Sequence, residues 1–323
     1  MATIHFIWWG TPTSEKHKSQ ATDTPKQVAL LCKGKHQVVY WCQEAAALKI
    51  APLLDVANTG IKVEPCSMID ELIPKDARAD FPDDAGGKFT SAAQKVAQQL
   101  NVHNAYAALK DFVSLCVLYS RGGFYFDTTT VIDPDHPDQV PKGLTEPHGP
   151  RLVRRPGDFR IHYHQVGLMT ARAIVYGTDT GVMPEVTLPA CDVWGMYAPK
   201  NHAAIRLALE SYVARCYRMG VYTGGKPANF DGVDGNEILS GSPDTRNKLL
   251  GNLIIRAVYD GFLTHCCKNG DPADLVNYTW HSSDKFSEKQ KATGAQLGLP
   301  DTFGLLKVHG GTWRYPLTAT TGH

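Results

Sequence analysis

Asp127 is the residue whose type and setting point most directly to chemistry. It follows the apolar segment Phe124–Phe126 and precedes three threonines, and a second carboxylate, Asp111, lies upstream of the double glycine Gly122–Gly123. This arrangement would present the Asp127 carboxylate to a charged ligand at the edge of a sheet. The structural alternative is an Asp that caps a turn, which is a common use of this side chain.

A helix and a short strand are predicted to position these two carboxylates. Gly122 provides the left-handed residue that ends a helix, and Phe124–Phe126 then forms a strand with Asp127 at its carboxyl end, the edge at which open α/β sheets bind ligands. Asp111 and Ser114 lie three positions apart in the helix and therefore share a face. The helix is indicated by apolar residues at three- and four-residue steps, which are Ala105, Leu109, Phe112, Cys116 and Tyr119.

The pattern resembles a signature of retaining sugar transferases with the glycosyltransferase A-type fold, D-x-x-R … L-Y … G-G-x-Y-x-D-x-D. It is similar in particular to the family of the large clostridial glucosylating toxins and the related fungal mannosyltransferases. The N-terminal segment Ile4–Trp8 with Gly10 resembles the first strand of that family, and His309–Trp313 resembles its closing segment. The residues that match the signature at matching spacing are Asp111, Leu118, Tyr119, Gly122, Gly123, Tyr125 and Asp127.

The resemblance implies a fold and a set of residue roles. The fold would be α/β and Rossmann-like, with a mixed, mostly parallel central sheet flanked by helices. Trp8 would stack on the base of a nucleotide sugar, Asp111 would bind a sugar hydroxyl, and Tyr125 would position the ribose or the sugar. Asp127 would hold a divalent cation, manganese or magnesium, or a metal-bound water against the diphosphate.

The closing segment and two departures from the signature bear on this metal. In the closing segment, the resemblance implies that His309 reaches the metal or phosphate and that Trp313 covers the leaving oxygen. The Arg of the signature is Ser114 here, and its second Asp is Thr129. A neutral hydroxyl is a poor substitute for a carboxylate, so two outcomes stay open: a metal held by Asp127, the diphosphate and His309, or a weakened or absent metal site.

Three functional interpretations follow from these residues. The first is a retaining glycosyltransferase that moves a hexose or N-acetylhexosamine from a nucleotide diphosphate sugar, preferably UDP-linked, to a protein, glycan or small-molecule acceptor. The second is a nucleotide-sugar-binding protein of the same fold that is catalytically weakened, because Ser114 and Thr129 replace the Arg and the second Asp of the signature. The third is a glycoside hydrolase that uses Asp133 and Asp135, although two Asp residues so close on a turn have no reason to face one another.

Strand and helix signals alternate through the first part of the chain, which favours a largely parallel sheet. We interpret residues 1–323 as a single domain, with a nucleotide-sugar-binding half over 1–132 and an acceptor half with the closing segment over 133–323. Asp133–Pro156 is predicted to be a long surface connection or lid. The predicted strands are Ile4–Trp8, Val38–Trp41 and Ile61–Val63, and the predicted helices are Gln43–Ile50, Met68–Leu72, Ala203–Met219 and Leu249–Leu263; Lys75–Lys88 is predicted to be a loop.

Composition limits the class of protein and its partners. The chain is 43% hydrophobic and 20% charged with a formal net charge of +1, so no overall field recruits nucleic acid or an anionic membrane. No apolar run is long enough for a membrane span, and no secretory signal is recognisable. We therefore predict a cytoplasmic protein, and leave open export by a route that uses no such signal. Cys116 and several other cysteines are predicted to be small buried hydrophobes.

Three further features are assigned no chemistry. Gly220–Lys226 spells a phosphate-loop pattern, but Pro227 stands where a metal-binding hydroxyl would be needed. His162 and His164 have no third ligand at recognisable spacing. His5 is predicted to be an ordinary polar residue with its hydrogen bonds satisfied.

Overall fold

A computed structural model describes residues 1–66, 72–75, 89–162, 185–218, 253–269, 272–280, 295–298 and 304–308. The strands are β1 (Thr3–Trp8), β2 (Gln37–Cys42), β3 (Lys62–Pro65), β4 (Gly123–Phe126), β5 (Thr130–Ile132), β6 (Arg151–His162), β7 (Glu185–Ala198), β8 (Thr279–Trp280), β9 (Ala295–Gly298) and β10 (Leu305–Val308). The helices are α1 (Glu15–Cys32), α2 (Glu44–Leu53), α3 (Val56–Thr59), α4 (Phe89–Val102), α5 (Tyr106–Arg121), α6 (Gln139–Gly143), α7 (Ala203–Arg218) and α8 (Leu253–Asn269), followed by the 3₁₀ helix Pro272–Tyr278.

Seven of these strands form one mixed sheet in the order β3-β2-β1-β4-β7-β6-β8. The first four are parallel to one another, while β7 is antiparallel to both β4 and β6. A second sheet joins β5, β10 and β9 in antiparallel pairs. The predicted mixed, mostly parallel sheet flanked by helices is confirmed.

Alternation along β1 divides the core into two clusters, one on each face of the large sheet. Ile4, Phe6 and Trp8 lie in one cluster with buried residues of α1 and α2. Ile7 lies in the other cluster with buried residues of α4, α5, α7 and α8. On each face of the sheet a tyrosine hydroxyl donates a hydrogen bond to the backbone of a helix. Tyr40 donates to the carbonyl of Ala21 in α1 at 2.9 Å, and Tyr212 donates to the carbonyl of Ala108 in α5 at 2.7 Å.

The segment predicted as a surface connection, Asp133–Pro156, is not one. It contains α6 and the start of β6, and Val140 and Leu144 are buried in the core. Asp133 is also buried, and its backbone N–H donates to the carbonyl of Gly304 at 2.8 Å. The prediction was wrong because Pro and Asp favour turns without indicating whether those turns lie on the surface, and here the turns lie between elements that pack on the core.

Two further findings concern the helices and the cysteines. None of the helices in the part of the chain described above is both long and apolar enough to cross a membrane. Cys116 is fully buried, as predicted. Several predicted features lie outside the described residues: most of Met68–Leu72, residues 76–88, His164, Gly220–Lys226, His309 and Trp313.

Candidate functional site

The connection from α5 to β4 positions Asp127, and its two glycines are required by close packing. Gly122 ends α5 with φ +70°, and Gly123 begins β4 with φ +97°. A Cβ on Gly122 would lie 2.6 Å from the backbone nitrogen of Lys200, and one on Gly123 would lie 2.5 Å from the carbonyl oxygen of Thr3. Because both conformations are left-handed and both neighbours are backbone atoms, only glycine fits at either position.

The turn that follows β4 is held by the backbone of Asp127 itself. The Asp127 N–H donates to the carbonyl of Trp194 at 2.8 Å, which continues the pairing with β7. The Asp127 carbonyl accepts the Thr130 N–H at 3.2 Å and the Thr130 hydroxyl at 2.9 Å. The main chain therefore uses its own hydrogen bonds to make the turn and leaves the Asp127 carboxylate free for other partners.

Those partners are two lysines and a tyrosine. Lys110 of α5 places Nζ 2.7 Å from Asp127 Oδ1 and 3.0 Å from Asp111 Oδ1. Lys307 of β10 places Nζ 2.5 Å from Asp127 Oδ2. The Tyr125 hydroxyl donates to Asp127 Oδ1 at 2.6 Å. Each oxygen of Asp127 thus accepts from an ammonium group, and we call Lys110, Asp111, Asp127 and Lys307 the charge cluster.

The second sheet delivers Lys307 to this cluster. Lys307 pairs with Thr130 in the antiparallel register of β10 with β5, so its backbone is held beside the turn that carries Asp127. Its ammonium also donates to the Thr129 hydroxyl at 2.5 Å. Only 7% of the Lys307 side chain is exposed, against 18% for Lys110 and 16% for Asp127, so the cluster opens to solvent on the side of the latter two.

The electrostatics of Asp127 are set by these lysines. Burial on its own would raise the pKa of Asp127, but the charges of Lys110 and Lys307 outweigh it and hold that pKa well below its usual range. Burial also acts to lower the pKa of Lys110, and Asp111 and Asp127 together overcome it and raise that pKa well above its usual value. Asp127 is therefore a carboxylate, and Lys110 an ammonium, throughout the physiological range.

Asp111 differs from Asp127 in its surroundings. Its side chain is 3% exposed, and burial raises its pKa from 3.8 to about 6, with Lys110 opposing the rise and the Asp127 charge adding to it. Among the described residues, nothing donates a hydrogen bond to its second oxygen, Oδ2, which is buried. A buried acceptor without a donor is costly, so a ligand hydroxyl that reached Oδ2 would gain a strong hydrogen bond.

The charge cluster does not fit a divalent metal ion. No group of three or more His, Cys, Asp or Glu side chains suited to a metal occurs in the described part of the chain. Both oxygens of Asp127 already bind ammonium groups at hydrogen-bond distance, and a divalent ion at either oxygen would sit directly against those positive charges. The predicted ligand His309 lies outside the described residues.

Of the remaining predicted residues, two contact the charge cluster, one lies in the core and one is outside the described part of the chain. Thr129 and Tyr125 both contact the cluster, as described above. Trp8 ends β1 but is buried in the cluster of α1 and α2, and among described residues its indole N–H has no hydrogen-bond partner. Trp9 lies on the same side of the sheet as Tyr125, and its indole N–H donates to Asn101 at 3.1 Å. Trp313 lies outside the described residues.

Two other predictions have structural outcomes. The hydrolase alternative is not supported, because Asp133 is buried and its Oδ1 accepts the backbone N–H of Asp135 at 3.0 Å, which is a turn contact. His5 is a buried polar residue, as predicted: its Nδ1 accepts from the Trp41 indole at 3.1 Å, and its Nε2 donates to the carbonyl of Gly122 at 2.8 Å. Burial lowers the pKa of His5 to about 4, which keeps it neutral.

Sequence reasoning missed both lysines of the charge cluster. The signal for Lys307 was a single cation inside the apolar run Leu305–Val308, where burial would need an anionic partner. The signal for Lys110 was its position one turn before Ser114 on the same helical face, where the resembled signature carries an Arg at position 114. Ser114 itself donates to the carbonyl of Asp111 at 2.7 Å and contributes no charge.

Comparisons with known proteins give limited similarity. No family model and no curated protein sequence matches the chain. The solved structure of the PaToxG glycosyltransferase is 16% identical, with 89% of this chain and 83% of that chain covered, at a TM-score of 0.40. The UDP-bound glycosyltransferase domain of the YGT toxin is 10% identical, with 94% and 75% covered, at a TM-score of 0.36. Because these scores are low, we base the functional proposal on the geometry of the site.

Proposed function

We propose that the chain is a retaining glycosyltransferase that moves a hexose or N-acetylhexosamine from a nucleotide diphosphate sugar, preferably UDP-linked, to an acceptor hydroxyl. The observation that carries this proposal is the charge cluster at the carboxyl end of β4. The chain order of the parallel strands reverses between β1 and β4, because β2 and β3 lie on the far side of β1. Open α/β sheets bind nucleotides in the crevice at such a reversal.

The cluster supplies the groups that a nucleotide sugar requires. Lys110 and Lys307 carry positive charge for the diphosphate, and their partial burial strengthens that interaction relative to water. The Asp111 oxygen without a donor suits a sugar hydroxyl. Tyr125, whose hydroxyl donates to Asp127 of the cluster, would position the ribose or the sugar. Trp8, at the end of the neighbouring strand β1, is the proposed partner of the base.

The transfer itself needs no nucleophile from the protein. The bond between the anomeric carbon and the β-phosphate oxygen breaks, and its electron pair remains on the diphosphate. The acceptor hydroxyl oxygen bonds the same carbon from the same face, and its proton passes to the departing phosphate oxygen. Catalysis then comes mainly from positive charge placed where the negative charge of the leaving diphosphate develops.

The closing segment and the acceptor region complete the proposal. His309 would reach the phosphate and Trp313 would cover the leaving oxygen once a donor is bound, as the sequence resemblance implies. Residues 133–323 would carry the acceptor site. Exclusion of water from the closed site would strengthen its electrostatics and suppress hydrolysis of the donor.

A ligand screen followed by a turnover assay tests this function. Thermal unfolding is measured with UDP, GDP and a panel of their sugars, with and without manganese; a ligand at a hundred times its dissociation constant stabilises by about 2.7 kcal/mol. Release of nucleotide from the best donor is then measured for the wild type and Asp127→Asn. Binding with turnover in the wild type, and turnover lost in Asp127→Asn, is expected.

The controls separate the alternatives. Asp23→Asn, on the exposed surface of α1, should behave as the wild type, because Asp23 lies outside the charge cluster. Tight binding of a nucleotide sugar with no turnover would favour the nucleotide-sugar-binding protein instead. Absence of binding by every nucleotide in the panel would refute both, provided that the protein shows a cooperative unfolding transition.

A further inference from the structure

We propose that the site works without a divalent cation, and that the ammonium groups of Lys307 and Lys110 bind the donor diphosphate in its place. This inference rests on the proposed glycosyltransferase function and names the residues that neutralise its donor. Three observations lead to it. Ammonium groups already contact both oxygens of Asp127, the charges at positions 127, 129 and 307 balance, and each of the two lysines has an N–H donor left for a ligand.

The first observation is that Lys307 occupies the place where a metal would bind Asp127. Its Nζ lies 2.5 Å from Asp127 Oδ2 and 2.5 Å from the Thr129 hydroxyl, so it bridges the first and third residues of the Asp127–Thr129 tripeptide. A divalent cation bound through those two residues would need the same space. Because Lys307 itself pairs with Thr130 in the register of β10 with β5, its backbone is fixed beside the turn that carries Asp127 and Thr129.

The second observation is the charge balance. Two carboxylates and one divalent cation, as the resembled signature implies, sum to zero. Asp127 and the Lys307 ammonium also sum to zero, with the neutral Thr129 in the position of the second carboxylate. Replacement of that Asp by Thr therefore removes one negative charge, and replacement of the cation by Lys307 removes one positive charge. Thr129 and Lys307 are thus explained together, whereas Thr129 alone would only weaken a metal site.

A similar exchange accounts for Lys110. Position 114 carries a neutral Ser whose hydroxyl is bonded to its own helix. Lys110 lies four residues earlier, on the same face of α5, and brings its charge to Asp127 at 2.7 Å. The positive charge that the signature places at 114 is therefore present one helical turn away.

The third observation concerns the donors that each lysine still has. An ammonium group has three N–H donors. Lys110 uses two on Asp111 and Asp127, and Lys307 uses two on Asp127 and Thr129, as far as the described residues show. Each therefore has a further donor for a phosphate oxygen, and Asp127 holds both ammonium groups in position. Lysine binds phosphate as a point charge, which suits a leaving group whose charge grows.

The experiment compares metal dependence in the wild type with that of lysine variants. Binding of UDP and release of UDP from UDP-glucose are measured in excess EDTA and again with added manganese. We expect wild-type binding and turnover to be equal in the two conditions. Lys307→Met, which keeps the apolar stem and removes the charge, should weaken UDP binding about 10- to 100-fold, and Lys307→Arg should restore most of it.

Two designed variants test whether the lysine stands in for the metal. Thr129→Asp alone should not raise manganese affinity, because Lys307 still occupies the site. Thr129→Asp combined with Lys307→Ala opens the space and restores a second carboxylate, so its UDP binding should become manganese-dependent. Lys142→Met is the matched control, because Lys142 is 62% exposed on α6 and outside the cluster, and its UDP binding should equal that of the wild type.

The outcomes separate this inference from the function on which it rests. Wild-type UDP binding that disappears in EDTA and returns with manganese would overturn the inference and leave the glycosyltransferase proposal standing. Failure to bind any nucleotide under either condition would overturn both. A Lys307→Met variant that unfolds is recognised by its melting curve, and the wild-type comparison in EDTA then decides the matter without it.

Discussion

Substitution of Asp111 by Asn tests the electrostatic description of the site through its effect on stability. The pKa of Asp111 is raised from 3.8 to about 6, chiefly by burial, with Lys110 opposing the rise and Asp127 adding to it. The folded protein therefore binds this proton more tightly than the unfolded chain does. The resulting stabilisation is fully present below the unfolded pKa of 3.8 and is lost as pH rises through about 6. The shift of this pKa from 3.8 to about 6 corresponds to about 3 kcal/mol in the free energy of unfolding.

Asn cannot ionise, so Asp111→Asn removes this dependence on pH and keeps the shape of the side chain. The stability of the variant relative to the wild type should therefore rise by up to about 3 kcal/mol between pH 4 and pH 7. The groups that face Asp111 with charge, Lys110, Asp127 and Lys307, are present in both proteins and largely cancel in the difference.

Urea unfolding at a series of pH values measures this difference, because the free energy of unfolding is extrapolated at each pH from the same type of transition. Asp23→Asn serves as the control, since its side chain is 49% exposed on α1 and keeps its contact with water. A difference between Asp111→Asn and wild type that stays constant from pH 4 to pH 7, or that falls, would refute the description of Asp111 as a carboxyl dominated by burial.

Two further predictions concern the elements around the site. Trp8→Leu should weaken UDP binding about 10- to 100-fold, as expected for a base–aromatic stack worth roughly 1–3 kcal/mol, whereas Trp9→Leu should leave it within a few-fold; isothermal titration measures both, and the reverse result would assign the base to Trp9. Gly123→Ala should destabilise the fold by roughly 2–4 kcal/mol, because its Cβ would meet the Thr3 carbonyl oxygen. Gly34→Ala has a similar φ of +78° with open space around it and should cost only about 1 kcal/mol in the same urea titration; equal losses would show that backbone strain alone matters.

The elements that sequence reasoning predicted well are those whose signal is local. β1 is an apolar segment that enters the sheet directly, and α5 carries apolar residues at helical steps before a glycine stop; both occur within a few residues of the predicted bounds. The long helix α1 was missed because its residues are mostly polar and include Pro25. Its position depends on tertiary contacts such as the hydrogen bond from Tyr40 to Ala21, which no local pattern reveals.

The residues of the site also differ in whether a local sequence pattern could predict them. Asp111, Tyr125 and Asp127 could be predicted because they lie on one continuous helix–turn–strand segment with recognisable spacing. Lys307 could not, because it lies 180 residues from Asp127 in sequence and reaches it only through the pairing of β10 with β5. The sequence shows that Thr129 is a departure from the signature, but the fold shows which charge accompanies it. A substitution that looks like the loss of a metal ligand when read along the chain becomes, with Lys307 beside it, one half of an exchange that keeps the local charge unchanged.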